Sequence, residues 1–247
     1  MRRWLLALLC AFVFLAGCGK KPAAPAAAKI EPMARPALDA YLVKQIAKAV
    51  RDDAGNPDAL EKNRTAYFGC LEKNKEDDCR FMLCSPYATY AGDELYQMRQ
   101  YDDAFALYAG AYQLLRQEVT GTIERRKERE NDFNDKSKSG AATEQDRRQY
   151  LFRRAILAHN LYRNYAEIAR LLDRFALVFA KQSNDAEARN ARSARDLFLQ
   201  SSADEYADYF ANRTALLPLL DPKSQDKGAN YLAVIADMDG LLQVRSF

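Results

Sequence analysis

ATYAGDELYQMRQYDDAFALYAGA, residues 88–111, decides the fold. Ala88, Ala91, Gly92, Leu95 and Tyr96 recur at three- and four-residue steps, the spacing of one helix face. Tyr101-Asp102-Asp103 follows, and the step resumes at Ala104, Tyr108 and Ala111. Small residues at Gly92 and Ala104 would let two antiparallel helices approach closely. Tyr101 would fill the turn between them, and Tyr108 and Ala111 would pack the second helix.

The same grammar extends in both directions. Upstream, Leu38, Leu42, Ile46 and Val50 make one apolar stripe that Gly55 ends. Asn56-Pro57 supplies an N-cap and a first-turn proline for a second helix. Ser85-Pro86 reads as the same device, opening a helix from Tyr87 to Gln100. Downstream, Thr143 with Asp146 resembles a capping box and predicts a helix through Arg163. Ser183-Asn184-Asp185 predicts another running toward Ala211. Asp221-Pro222 closes the segment containing Pro218, and Gly228 precedes a last helical stretch to Val244. Asp239-Gly240 lies inside that stretch as a weak spot. No sustained two-residue alternation and no Asn-Gly hairpin is present, so the class is all-α. Residues 124–148 are very polar and predict a solvated helix end with a loop around Lys136-Ser137-Lys138-Ser139-Gly140.

Composition fits a folded chain. Of 247 residues, 49% are hydrophobic and 29% charged, which excludes a disordered chain. There are 37 Lys and Arg against 34 Asp and Glu. Arg2 and Arg3 fall in a leader, so the rest is nearly neutral and nucleic acid is not an expected partner. A single histidine excludes His-based metal clusters.

The N-terminus carries an address. Met1-Arg2-Arg3-Trp4 precedes an apolar run from Leu5 to Ala16, too short to span a bilayer, which needs about 20 residues. Leu15-Ala16-Gly17-Cys18 closes it and resembles the lipobox of bacterial lipoproteins. That resemblance implies that residues 1–17 are removed, that Cys18 is lipidated, and that Gly19 directs the protein to the outer membrane. Residues 18–37 are rich in Pro and Ala and predict an extended tether, rising about 3.1 Å per residue. Residues 38–247 would then form the helical body.

The stretch that decides the fold also resembles a tetratricopeptide or Sel1-like repeat. Gly92, Tyr101, Ala104, Tyr108 and Ala111 fall at its small, aromatic, small, aromatic and small positions. Ala88 stands where a larger residue is usual, and Arg116 where a proline often ends the unit. Asp77-Asp78-Cys79 followed by Leu83 is a weaker upstream echo. Asn164-Tyr165-Ala166-Glu167 reads as a further turn between helices. The architecture expected is antiparallel helical hairpins, either such repeats or an irregular bundle.

Cys70, Cys79 and Cys84 remain after the leader and the lipid site. An oxidising compartment predicts one disulfide and one free thiol. Cys79 and Cys84 would point to different faces of one helix. With a turn at residues 73–77, either Cys70–Cys79 or Cys70–Cys84 would staple the hairpin, the former slightly preferred. A zinc site would need His159 as a distant fourth ligand and is not expected.

No nucleophile elbow, phosphate loop, dinucleotide fingerprint or zinc-protease spacing is present, so neither an enzyme nor a cofactor is expected. Carboxylates at Asp204, Glu205, Asp208, Asp237 and Asp239 leave a carboxylate-dependent cell-wall hydrolase as an alternative. Tyrosine is the more telling residue, with 14 in the chain and six between 87 and 112. It supplies large contact area at low entropic cost. Tyr90, Tyr96, Tyr101 and Tyr108 are the candidates for a partner-binding groove. The expected function is a periplasm-facing protein-binding module. The repeat resemblance implies an immunity protein against a secreted antibacterial effector, such as a phospholipase. An assembly or pilot lipoprotein of a pilus or secretion machine is the alternative.

Overall fold

Asn56 opens the first described helix as the sequence predicts. Its side-chain oxygen accepts from the N–H groups of Asp58 and Ala59, and Pro57 takes the first helical position. A computed structural model describes residues 55–220 and 227–244. The leader, Cys18, the tether and the stripe from Leu38 to Val50 lie outside those residues. The described chain is all-α: α1 (Pro57–Lys73), α2 (Arg80–Gln97), α3 (Tyr101–Lys138), α4 (Glu144–Lys181), α5 (Asp185–Leu216) and α6 (Lys227–Val244), with a 3₁₀ turn at Leu217–Leu219.

The chain divides into two compact units. The larger runs from Glu31 to Leu219 and holds α1 to α5. Each of these helices packs on its neighbour in sequence, and α2 also touches α4. The most extensive pairing joins α4 and α5. Small side chains are buried along both helices: Ala158, Ala169 and Ala176 on α4, and Ala188, Ala191 and Ala203 on α5. The Ser202 hydroxyl donates to the Tyr162 carbonyl at 2.9 Å across that seam. The second unit contains α6, which buries Leu232, Ile235 and Met238 at three-residue steps, with Gly240 inside the helix.

Three hairpin turns close in the same way. The N–H of Gln100 reaches back to Leu95, that of Ala141 to Lys136, and that of Asn184 to Phe179. Each closure places one residue in the left-handed region: Arg99 at φ 63°, Gly140 at 72° and Ser183 at 60°. Only the middle turn uses glycine, which adopts that conformation without a steric penalty.

Two expected helix boundaries are corrected. Ser85-Pro86 does not open a helix, because α2 starts at Arg80 and carries Pro86 inside it. Proline removes the N–H that would bond the Met82 carbonyl, and the Ser85 hydroxyl donates to that oxygen at 3.4 Å instead. Asn164-Tyr165-Ala166-Glu167 is not a turn either. Helix α4 runs unbroken from Glu144 to Lys181, with Leu161, Ile168, Leu171 and Phe175 buried along it. The capping box at Thr143 and Asp146 is present as expected. At about 1.5 Å per residue, α3 and α4 are each roughly 57 Å long, and their polar ends form the hairpin tip.

Candidate partner-binding surface

The α1–α2 hairpin is fixed by the Cys70–Cys84 disulfide, with Cα atoms 5.6 Å apart. This corrects the slight preference for Cys70–Cys79. Cys84 sits more than a turn inside α2 on the buried side, whereas Cys79 is the N-cap and faces α4. There Asn160 Nδ2 lies 3.0 Å from the Cys79 Sγ. Burial, reinforced by Glu118 and Asp77, pushes the free Cys79 thiol up to about 12.

Cys79 gives α2 no side-chain cap. Glu118, on α3, caps it from a distance. Its Oε2 accepts from the N–H groups of Phe81 and Met82 at 2.8 and 3.3 Å, and its Oε1 accepts from Asn164 Nδ2 at 2.9 Å. A carboxylate at exposed helix N–H groups complements the helix dipole. The partners lie 37 and 46 residues away in sequence, so no local pattern announces the cap.

Deeper, Gly92 of α2 lies against the ring of Tyr108, so close that a β-carbon there would overlap it. The Tyr108 hydroxyl donates to Asp93 Oδ1 at 2.7 Å. Arg174 of α4 donates to both Asp93 oxygens. Burial and the Asp93 charge drive the Tyr108 phenol well above its ordinary range.

These contacts decide the fate of the four candidate tyrosines. Tyr108 is fully buried and belongs to the core, which removes it from any accessible surface. Tyr96 and Tyr101 are half-buried, packed edge to face at 5.3 Å and seated on the core. Tyr90 alone is exposed, at 43%. Tyr87, three residues earlier on the same face of α2, is exposed as well, as is Phe68 on α1, whose ring meets that of Tyr67 at 5.4 Å. The helix period hints at Tyr87 joining Tyr90. What separates them from Tyr96 is how α2 is rotated against α1 and α3.

The carboxylates considered for hydrolysis are placed differently. Glu205 and Asp208 of α5 meet arginines: Arg126 of α3 reaches Glu205 at 2.6 Å, and Arg154 of α4 reaches Asp208 at 3.3 Å. Arg154 also meets Glu130 at 3.2 Å. These pairs tie α3, α4 and α5 together. Asp204 and Asp237 are exposed and Asp239 is buried. His159 is buried, its ring 5.4 Å from that of Tyr209. Among the described residues, no group of three His, Cys, Asp or Glu side chains could hold a metal ion, and no helix is long and apolar enough to cross a membrane.

A cavity of about 310 Å³ opens between α3 and α4 near the hairpin tip. Phe133 and Tyr150 stack in it, with ring centres 4.3 Å apart and planes within 9°. Lys136 and Asp146 pair beside them at 2.6 Å. That contact and the Thr143 hydroxyl and N–H hold the Asp146 carboxyl below the usual carboxylate range.

No family model, no curated protein and no solved structure matches the chain.

Proposed function

We propose that this chain is an outer-membrane lipoprotein whose helical body binds another protein in the periplasm, and specifically that it is an immunity protein neutralising a secreted antibacterial effector. The observation that carries the binding role is the disulfide-fixed helix α2, which turns Tyr87 and Tyr90 to solvent. Disulfides persist in oxidising compartments, which agrees with export by the leader. A stapled helix holds its side chains in place before binding, so less ordering entropy opposes association. Tyrosines on such a face are effective anchors. The lipobox at Cys18 supports a membrane-tethered body, and the repeat resemblance supports the immunity role.

Deletion of the gene followed by competition against the parent strain tests this reading. An immunity protein predicts that the deletion strain is killed by contact with its parent and is rescued by the intact gene, but not by Tyr87→Ala/Tyr90→Ala. Even competition together with loss of a pilus or secretion channel would move the assignment to an assembly lipoprotein. Even competition with no envelope defect would remove both.

A further inference from the structure

The hairpin tip carries a second feature that the tyrosine face does not use. Along α3, Arg129, Phe133 and Lys136 share the stripe facing α4; along α4, Asp146, Tyr150 and Arg153 share the stripe facing α3. In a long antiparallel pair this seam is normally apolar. Here it lines the open cavity described above.

The register is set by two contacts, Lys136 with Asp146 and Phe133 with Tyr150. One turn from the ring stack, Arg129 of α3 and Arg153 of α4 line the same cavity. Three cations, Arg129, Lys136 and Arg153, and three carboxylates, Asp132, Asp135 and Asp146, line the cavity, but they are unevenly paired. Lys136 is held by Asp146. Arg129 has only a loose partner, Asp132 at 3.8 Å on its own helix. Arg153 is partly buried in the seam and forms no ion pair among the described residues. Asp132 and Asp135, also at the cavity, are exposed, as is Arg129 at its rim. Two guanidinium groups lining one cavity repel unless an anion lies between them. A forked guanidinium from each side suits the planar oxygens of a carboxylate or the tetrahedral oxygens of a phosphate. The Phe133–Tyr150 pair supplies an adjoining aromatic surface.

We infer that this cavity is an oxyanion site in which Arg129 and Arg153 clamp a carboxylate or phosphate group, with the body of the ligand resting on the Phe133–Tyr150 stack. The inference does not depend on the immunity reading.

Calorimetric titration of the intact protein with inorganic phosphate and with benzoate, at matched ionic strength in chloride, tests it. Saturable binding of one or both is expected, and the stronger one identifies the oxyanion. Arg153→Gln and Arg129→Gln should each weaken it about tenfold, the loss of a charge-assisted hydrogen-bond pair. Arg147→Gln, at an exposed position that does not line the cavity, should leave it unchanged. Melting curves check that each variant is folded. Absence of saturable binding by the wild-type protein, or equal affinity in Arg129→Gln/Arg153→Gln, would overturn the assignment.

Discussion

Arg174 grips Asp93 inside the protein, Nε to Oδ1 at 3.2 Å and Nη2 to Oδ2 at 3.3 Å, with both side chains almost fully buried. The pair joins α2 to α4, and Tyr108 adds α3 through its hydroxyl. Removing one partner strands the other's charge away from water. Asp93→Ala or Arg174→Ala should therefore cost about 3–5 kcal/mol. Replacing both, as Asp93→Leu/Arg174→Met, should cost much less than the sum of the single changes. Urea unfolding of the four proteins in a double-mutant cycle measures the coupling.

The approach of α2 to α3 predicts unequal glycine substitutions. Gly92→Ala drives a methyl into the Tyr108 ring and should destabilise by about 1–3 kcal/mol, as overpacking does. Gly110→Ala on α3 meets nothing within 4 Å and should stabilise by about 0.5–1 kcal/mol, the helix preference for alanine. Thermal melts of the two variants separate close packing from propensity.

The disulfide closes a loop with a sequence separation of 14. Loop-entropy arguments give such a link about 3 kcal/mol. Cys70→Ser/Cys84→Ser should lower stability by about that amount, and the wild-type protein should lose as much in reductant. A melting temperature unaffected by reductant would contradict the bridge.

Cys79 should behave as a sheltered thiol. Free cysteine ionises near pH 8.5, while this one is pushed up to about 12. The thiolate is the reactive form, so alkylation at pH 8.5 should be slow in the folded protein and rapid after unfolding. The sign for stability follows. The unfolded chain releases this proton above about pH 8.5 and the folded chain retains it to about 12. Cys79 therefore lowers stability as pH rises through that window, and Cys79→Ala should remove that part of the slope.

Two turns carry conformational penalties that glycine would relieve. Arg99 and Ser183 hold positive φ where Gly140 does the same freely. Arg99→Gly and Ser183→Gly should each stabilise by up to about 1 kcal/mol, after the greater flexibility of glycine in the unfolded chain is offset. Equilibrium unfolding reads the difference.

Much of the helical order is legible in local chemistry. Asn56-Pro57, Thr143 with Asp146, and Asn184 all cap helices where their side chains indicate. Gly92 and Ala104 mark a close helix approach, and both are buried. The misread boundaries share one physical cause: a local break signal overridden by tertiary contacts. Pro86 is carried through α2 while Ser85, the disulfide and the Glu118 cap hold the turns around it. Asn164 is not a turn residue because its amide is committed to Glu118 and to the Asn160 carbonyl inside α4. The tyrosine face was only partly legible, since composition gives the aromatics but not the rotation of α2. The Arg129–Arg153 cleft depends on the register of two long helices, which no motif encodes.

The stapled face of α2 is proposed to bind a protein partner. The most direct measurement is co-purification of the full-length protein from detergent-solubilised envelopes, comparing wild type with Tyr87→Ala/Tyr90→Ala. Both tyrosines are exposed, so the variant should melt within about 0.5 kcal/mol of wild type in stability. A stoichiometric partner retained by wild type and weakened about thirtyfold or more in the variant, as loss of interface anchors predicts, would support the account. A partner held equally by both proteins, or no stoichiometric partner for wild type, would contradict it.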